Sequence, residues 1–420
     1  MSWATLLLLG VLVSLDMQNL ASRWGRIIPL GDETSSDYTL VVPIFGDPKY
    51  FRNGEYLARF RDRTLLAVNV DSPKMKRFVA ELRKAGWRVH ASQLTGRVSC
   101  PEIVLDALRS VETEYVIRID GDTTSVEDPG RAVAAARAAG ADLCSVKITV
   151  SRRMTLIEKL QAVEYDMSML GRHNRAWMTS GACMIARTSS LRAILSSHSF
   201  WFPGEDIETG VIAKHFRLSV RHVDMRFYTD APETFRAWLR QRRMWWSGSF
   251  RMAFVNADQT LRFPLTFAYT VCVVWLLWAA KWHELFDLRH VAAILPFVVL
   301  LYTGVCFSSN WSVRSRWMVL YPYYALFQAL VLPVLGALYY FWLWFKQGTV
   351  KPPGRYRIGL RRQNVDLNLW QAAVGPRVGW VARVVRITAV PADQAPQLAP
   401  ASSCSVGSSA TLPSRATSAA

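Results

Sequence analysis

Short apolar runs alternate with helix-forming stretches between residues 38 and 250, and this alternation constrains the fold most. Runs that favour β-strands cover Tyr38–Ile44, Leu65–Val70 and Tyr115–Ile119. The stretches between them, such as Lys74–Ala85, have helical composition. Strands that alternate with helices are typical of α/β domains. The sequence therefore predicts an α/β domain with a mainly parallel sheet.

Acidic residues follow two of the predicted strands. Asp71 follows the second run, and Asp120 and Asp122 follow the third. Ligands of open α/β sheets bind beyond the carboxyl ends of strands. Two carboxylates spaced i and i+2 can hold Mg²⁺ or Mn²⁺, which prefer oxygen ligands and bridge phosphate oxygens. A solvated turn or a helix cap is the alternative interpretation, and for Asp71 the two are evenly balanced.

A second acidic pair, Glu205 and Asp206, follows Gly204 and precedes a predicted helix. Acids in a first helical turn are stabilised by the helix dipole, which is sufficient to explain them. The functional alternative is that Asp206 is a general base. A base of this kind takes the proton of an acceptor hydroxyl during attack on a sugar.

A basic and aromatic cluster occupies residues 241 to 248, with the sequence Gln-Arg-Arg-Met-Trp-Trp-Ser-Gly. Arginines such as Arg243 can bind a diphosphate with two parallel hydrogen bonds. The face of Trp245 can stack on a sugar ring. The alternative is a helix at a membrane interface, where Trp and Arg are common.

The composition becomes apolar after residue 259. We predict membrane spans within Pro264–Ala280, Val291–Phe307 and Trp317–Phe345. The last of these segments is too short for two full spans, and part of it can be an interfacial or re-entrant helix. The predicted layout is an N-terminal membrane helix (1–22), a catalytic domain (38–258), a transmembrane region (259–346) and a disordered tail (364–420).

The chain is strongly basic, with a net charge of +18. Nucleic acid is not the expected partner, because the sequence contains no recognition motif for it. The basic residues gather around the apolar segments and the 241–248 cluster, which favours a lipid bilayer and phosphorylated substrates. We expect a multi-pass protein of the plasma membrane with a cytosolic catalytic domain. The number of spans and the side of the C-terminus stay open.

In this order, the motifs resemble those of membrane-embedded processive glycosyltransferases of family 2, the group of hyaluronan, chitin and bacterial cellulose synthases. The resemblance covers roughly residues 38 to 346 and implies a GT-A-like domain with helical transmembrane segments. It also implies roles for individual residues. The residues implied for donor binding are Asp71, Asp120, Asp122, Gln241 and Arg243, and Asp120 and Asp122 would also bind the metal. The residues implied for acceptor binding are Gly181, Glu205 and Trp245, and Asp206 is the implied catalytic residue.

The resemblance has departures. Met244 stands where the family motif Gln-x-x-Arg-Trp has arginine, so the neighbouring Arg243 is the expected substitute for the diphosphate contact. Gly204 stands where the family has threonine. The implied function is inverting transfer from a UDP-sugar that extends a β-linked polysaccharide, optionally with export. Two alternatives stay open: transfer of one sugar to a lipid acceptor, and an inactive scaffold.

Overall fold

The computed structural model describes residues 25–94, 98–198, 200, 203–255, 288–310 and 312–349. The predicted N-terminal helix, the apolar segment 264–280 and the predicted tail from residue 364 lie outside these residues.

The described strands form one mixed sheet in the order β1-β9-β7-β8-β5-β2-β3-β4, with the short β6 paired to β9. The strands are β1 Ile27–Ile28, β2 Tyr38–Ile44, β3 Thr64–Asn69, β4 Arg88–Ser92, β5 Tyr115–Ile119, β6 Thr124–Ser125, β7 Leu143–Val150, β8 Cys183–Arg187 and β9 Val220–Thr229.

Most neighbouring strands run parallel. β2 pairs in parallel with β3 and β5, β3 with β4, and β9 with β7 and β1. β8 runs antiparallel between β5 and β7, and β6 runs antiparallel to β9. The prediction of an α/β fold with a mainly parallel sheet is confirmed. Because β2, β3 and β5 are parallel, their carboxyl ends meet at one edge of the sheet, where Asp71 and Asp120 follow their strands.

Helices cover both faces of the sheet and continue into a helical layer. They are α1 Gly54–Ala58, α2 Pro73–Lys84, α3 Cys100–Ala107, α4 Pro129–Ala138, α5 Leu156–Arg172, α6 Thr188–Ser196, α7 Glu205–His215, α8 Phe235–Val255, α9 Leu288–Ser309 and α10 Tyr321–Thr349.

Local sequence explains where the helices begin. The Ser72 hydroxyl accepts a hydrogen bond from the Met75 amide at 3.3 Å, and Pro73 occupies the first turn of α2. Thr155 and Glu158 form a reciprocal capping box at the start of α5. These caps satisfy amides that have no partner within the helix.

The pleat of the sheet divides the core into two layers. On one face, Val42, Val68 and Ile117 pack in a buried cluster. Their chain neighbours Val41 and Val116 point to the other face and pack against α3 and α6. Both faces of the central strands are buried, as expected for parallel strands covered by helices.

α8 and α10 pack against each other closely. A side chain at Gly336 of α10 would place its Cβ atom 2.6 Å from the Cβ atom of Trp246 on α8, so glycine permits this approach. Trp238 of α8 joins a separate apolar cluster with residues of α5, α9 and α10. The cluster fixes the helical layer to the helix that covers β7.

The predicted apolar segment Trp317–Phe345 forms a short 3₁₀ turn, Arg316–Val319, followed by the single helix α10, which contains Pro333. Within the described residues, one helical stretch, Tyr321–Leu343, is long and apolar enough to cross a membrane, and 41% of its most apolar window is buried. The core helix of a soluble protein passes the same test, so this observation alone is weak evidence for a span.

Candidate active site

A cavity of about 450 Å³ lies between the strand ends, the start of α7, and helices α5 and α8. Most of the residues predicted for the site line it together: Asp120, Asp122, Gly181, Glu205, Asp206, Gln241 and Trp245. Residues far apart in the sequence therefore converge on one volume, as an active site requires.

Asp120 is held by an arginine of the strand that precedes it. The Arg118 guanidinium donates to the Asp120 carboxylate at 2.8 Å and to the Cys100 sulfur at 2.8 Å, and its other nitrogen donates to the Gly181 carbonyl. The Arg118 side chain is 8% exposed and that of Asp120 is 38% exposed. Burial raises the pKa of Asp120 to about 6, helped by the charges of Asp122 and Asp206 and opposed by Arg118.

Asp122 lies between two hydroxyl donors. Thr123 and Thr229 each donate to its Oδ1 atom at 3.2 Å. Burial raises the pKa of Asp122, and the charge of Asp230, which also lines the cavity, raises it further. Ser151 donates to Asp230 at 2.6 Å. The carboxylates of Asp120, Asp122 and Asp230 therefore line the same cavity, and the repulsion among their negative charges favours a bound cation.

The loop that carries both aspartates is fixed through its backbone. The Asn53 side-chain amide donates to the carbonyls of Asp120 at 3.0 Å and Thr123 at 2.7 Å. The backbone amides of Arg52 and Asn53 donate to the Gly121 carbonyl at 2.6 and 3.0 Å. This loop is accordingly preorganised before any ligand binds.

Asp206 lies in the first turn of α7. Its two carboxylate oxygens accept hydrogen bonds from the backbone amides of Gly181 and Ile207, each at 2.9 Å. The Thr179 hydroxyl donates to the Asp206 carbonyl. The carboxylate is thereby oriented, and each oxygen keeps a lone pair for another donor.

The structure explains why glycine occupies position 204, immediately before this turn. Gly204 adopts φ +98°, which side chains other than glycine rarely adopt, and its Cβ position would be 3.0 Å from the Gly248 Cα atom of α8. The family's threonine would be strained here and would push α8 away. The departure at Gly204 thus permits α8 to cross directly over the start of α7.

Helix α8 presents one face to the cavity. Gln241, Met244 and Trp245 line it, at the i, i+3 and i+4 spacing of one helical face. The Trp245 side chain is 42% exposed and stacks on Tyr165 of α5, with the ring centroids 6.2 Å apart. An exposed aromatic platform therefore lies within the same volume as the acids.

A second face of α8 packs on α10. The Arg243 guanidinium lies over the Tyr339 ring, 4.4 Å from its centroid. Trp246 approaches Gly336, and Phe250 packs against Tyr340. Arg243 does not line the described cavity. Its placement gives no support to the predicted diphosphate contact, whereas Met244 does line the cavity.

Arg242, between these faces, is buried in a charge network. It donates to Glu164 of α5 at 2.6 Å, and the Tyr324 hydroxyl of α10 donates to the same Glu164 oxygen at 2.6 Å. The Trp238 indole donates to Tyr324 at 2.7 Å. The Arg242 guanidinium also lies 4.1 Å from the centroid of Trp245. This network connects the aromatic platform to α5 and α10.

Asp71 is exposed beyond the end of β3 and does not line the cavity. It lies at the same edge of the sheet as Asp120, two strands away. Within the described residues, no group of three or more His, Cys, Asp or Glu side chains is arranged to hold a metal ion. A cation at Asp120 and Asp122 would consequently need ligands from a substrate or from water.

The model of the family described as Glycosyl transferase family group 2 matches residues 115–345, more than half of the chain. The chain belongs to this family. The match includes Asp120, Asp122, Asp206 and the 241–248 cluster, and it begins after Asp71. The protein is accordingly a glycosyltransferase.

Solved structures with some similarity to this glycosyltransferase include three transferases. One is the mannosyltransferase of Pyrobaculum calidifontis in complex with GDP-Man and Mn²⁺, which is 16% identical in sequence with a TM-score of 0.47. The alignment covers 80% of this chain and 99% of the mannosyltransferase chain. Staphylococcus aureus TarS 1–349, in complex with UDP-GlcNAc, is 16% identical with a TM-score of 0.35, covering 75% and 93%.

The third is glucosyl-3-phosphoglycerate synthase of Mycobacterium tuberculosis, in complex with Mn²⁺, UDP and phosphoglyceric acid. It is 13% identical with a TM-score of 0.34, covering 54% of this chain and 79% of its own. A search of curated proteins found no match to the glycosyltransferase.

Sequence reasoning missed several residues of the glycosyltransferase cavity. Glu164 and Arg172 line it without belonging to a predicted motif. Arg118 did carry a signal, because it interrupts an apolar strand and lies two residues before Asp120, on the same side of the chain. Glu164 pairs with Arg242, which lies far away in the sequence.

Proposed function

We propose that this protein is an inverting glycosyltransferase that uses a UDP-sugar and a divalent cation to extend a β-linked polysaccharide at a membrane. The observation that carries the proposal is the single cavity. It combines the paired acids Asp120 and Asp122 at a strand end with the oriented carboxylate of Asp206. These are the parts that transfer from a nucleoside diphosphate requires.

Asp120 and Asp122 fit a divalent cation. Their pKa values are raised by burial and by neighbouring carboxylates, so a cation would relieve the repulsion that protonation otherwise relieves. Mg²⁺ or Mn²⁺ held there would neutralise the charge that develops on the departing diphosphate. Arg118 keeps Asp120 in place through their ion pair at 2.8 Å.

Asp206 is the proposed general base. It takes the proton of the acceptor hydroxyl while that oxygen forms a bond to the anomeric carbon, and the bond from this carbon to the diphosphate oxygen breaks with its electron pair. The hydrogen bonds from Gly181 and Ile207 orient the carboxylate for this role. One displacement without a covalent enzyme intermediate inverts the anomeric centre.

The acceptor would lie between Asp206 and the Trp245 platform. Trp245 offers an exposed ring for stacking on a sugar. Glu205 and Gly181 line the same part of the cavity. Burial and the charge of Asp206 raise the pKa of Glu205, so its protonated carboxyl can donate a hydrogen bond to an acceptor hydroxyl.

A second candidate is transfer of one sugar to a lipid acceptor. The specific observation behind it is the placement of Met244 on the cavity, with Arg243 turned toward Tyr339. Met244 has no charge for the diphosphate, and Arg243 does not line the described cavity, which favours an acceptor that does not need the processive pattern. A lipid acceptor would release after one transfer, and continued contact with a growing chain would not be needed.

The membrane is proposed from the helical layer. Large apolar side chains on α9 and α10 are exposed, including Phe297 at 56%, Leu300 at 73% and Leu338 at 59%. Exposed apolar surface of this extent is typical of membrane or protein contacts. We propose a multi-pass protein of the plasma membrane with the catalytic domain in the cytosol, where nucleotide sugars are available.

A reporter inserted in the hydrophilic stretch 281–290 tests this orientation. We expect it to read as external, because one apolar segment separates that stretch from the catalytic domain. A second reporter at residue 62, in the surface turn before β3, should read as cytosolic. A cytosolic result at both positions would contradict the proposed first span.

The function is tested with membranes that contain the full chain, supplied with Mn²⁺ and a panel of radiolabelled UDP- and GDP-sugars. Products are sized by gel filtration and extracted into organic solvent. A long water-soluble polymer supports polysaccharide extension, and a solvent-extractable product with one sugar supports the second candidate. Membranes with Asp206→Asn are the matched control. Absence of transfer from every donor would contradict both candidates.

A further inference from the structure

Arg172 is the last residue of α5, and its side chain lines the cavity. Its Nη1 atom is buried and has no hydrogen-bond partner. Within the part of the chain that the structure describes, the guanidinium makes neither a hydrogen bond nor an ion pair. Arg172 therefore brings a positive charge without an ion-pair partner among the described residues to the wall of the cavity.

The fully buried arginines of the described residues are each paired with a carboxylate. Arg118 pairs with Asp120 at 2.8 Å, Arg242 with Glu164 at 2.6 Å and Arg251 with Glu208 at 3.0 Å. Buried charges are normally paired, since leaving one without an opposite charge is costly. Arg172 is half-buried, lines the cavity and has no such carboxylate partner within the described residues.

Two neighbouring ionisable groups interact with the charge of Arg172. Burial lowers its pKa to about 10, and Asp206 is the carboxylate that opposes this effect. On its other side, burial and the charges of His173, Arg172 and Lys147 lower the pKa of His222 to about 3. A positive group that lines a cavity and has no ion-pair partner among the described residues favours an incoming anion.

We propose that Arg172 binds a phosphate-type oxyanion of a substrate inside the cavity, beside Asp206. The inference rests on the proposed function, since it assigns part of the same site. The planar guanidinium can donate two parallel hydrogen bonds to such a group, and the bound oxyanion supplies the opposite charge that Arg172 lacks within the described residues. Arg172 would then contact the substrate directly.

Two substrates could supply this oxyanion. One is the diphosphate of the nucleotide-sugar donor, held between Arg172 and the cation at Asp120 and Asp122. The other is a phosphate carried by the acceptor, held next to the base that activates its hydroxyl. The chemistry at Arg172 is the same in both cases, and two probes distinguish them.

The test uses the purified full chain in detergent, with binding measured by isothermal titration calorimetry. The probes are inorganic pyrophosphate with Mg²⁺, and glycerol phosphate added after the protein is saturated with UDP and Mg²⁺. The variants are Arg172→Met, which removes the charge at similar length, and Arg172→Lys, which keeps it. Arg175→Met is the matched control, because Arg175 belongs to the same segment and does not line the cavity.

We expect Arg172→Met to weaken binding of one probe about ten- to a hundredfold, the effect of losing a charged hydrogen bond. Arg172→Lys should recover part of the loss, and Arg175→Met should bind as the wild type does. Weaker pyrophosphate binding identifies the donor as the source, and weaker glycerol phosphate binding identifies the acceptor.

The proposal is overturned if Arg172→Met binds both probes as tightly as the wild type, or if the wild type binds neither. It is also overturned if Arg175→Met loses as much affinity as Arg172→Met. Sugar transfer by the wild type, measured separately on membranes, shows whether the proposed function fails at the same time. Far-ultraviolet circular dichroism confirms that each variant is folded.

Discussion

The cavity has two walls of different construction. The acidic wall, made of Asp120, Asp122, Glu205, Asp206 and Asp230, is built at the ends of strands and the start of α7. The helical wall, made of Glu164, Tyr165, Arg172, Gln241, Met244 and Trp245, comes from α5 and α8. Backbone amides and short loops fix the first wall, whereas the second depends on how α5, α8 and α10 pack together.

This difference assigns the chemistry and the selectivity to different parts of the molecule. The acidic wall holds the groups for metal binding and proton transfer, on a sheet that is buried on both faces. The helical wall holds the aromatic platform, and it is where Met244 departs from the family motif. Changes in the acidic wall should therefore affect the rate most, and changes in the helical wall should affect the stability or the product.

The largest effect is expected from Asp206→Asn. The amide keeps the shape and cannot take a proton, so transfer should fall about 10²–10⁴-fold, the usual contribution of a general base. Binding of the nucleotide and cation should stay as in the wild type. Radiolabelled transfer and equilibrium binding of UDP with Mn²⁺ measure the two quantities.

Asp224→Asn is the matched control, because Asp224 is exposed on β9 and does not line the cavity. Its transfer rate should be close to that of the wild type. If Asp206→Asn transfers sugar at a near-normal rate, Asp206 is a helix-capping acid and the acidic wall does not contain the base.

The helical wall should respond mainly in stability, and two neighbouring arginines test this. Arg242→Met leaves Glu164 without its buried partner, and such losses cost about 3–5 kcal/mol of unfolding free energy. Arg243→Met removes a cation–π contact with Tyr339, which is worth about 0.5–2 kcal/mol. Denaturant midpoints of the two variants in the same detergent make the comparison.

The combined variant Glu164→Gln with Arg242→Met should recover part of the stability, because no buried charge is left unpaired. Equal losses from the two single variants would contradict the assignment of Arg242 to the buried network. If Arg243→Met keeps its stability and loses transfer tenfold or more, Arg243 does take over the diphosphate contact.

The two walls also differ in how well the sequence predicted them. The strand Tyr115–Ile119 and the acids after it follow from local pattern, since burial and strand ends are both visible in the sequence. The roles of Arg242 and Glu164 could not be predicted, because the two residues lie on separate helices and meet through packing. The helical periodicity of α8 does predict that Gln241, Met244 and Trp245 share one face of the helix and that Arg243 lies on another. The need for glycine at position 204 could not be predicted from the sequence, because it arises from the close approach of Gly248 on another helix.

An intermediate effect is expected for cation binding as the pH changes. The pKa of Asp120 is raised to about 6, and the cation requires the deprotonated form. As the pH falls below about 6, a proton must leave for each cation bound, so the apparent affinity for Mn²⁺ should fall about tenfold per pH unit. Above pH 7 the affinity should level off.

Mn²⁺ titrations followed by electron paramagnetic resonance between pH 5 and 8, in the presence of UDP, provide the measurement. Asp120→Asn should bind Mn²⁺ weakly and lose most of the pH dependence in this range. An affinity of the wild type that does not change between pH 5 and 7 would show that the cation is held elsewhere than at Asp120.

The smallest effect on rate, and the most informative effect on product, is expected from Trp245→Ala. Aromatic stacking contributes about 0.5–1.5 kcal/mol, so the rate should fall only several-fold. If the platform holds a growing chain, the polymer should become shorter, because the chain dissociates more often between additions. Trp245→Phe keeps a ring over Tyr165 and should restore much of the polymer length.

Trp246→Ala is the matched control on the face of α8 toward α10, where it should lower the stability and leave the product length unchanged. A Trp245→Ala variant with wild-type rate and product would remove Trp245 from the acceptor site and leave it as a packing residue beside Arg242.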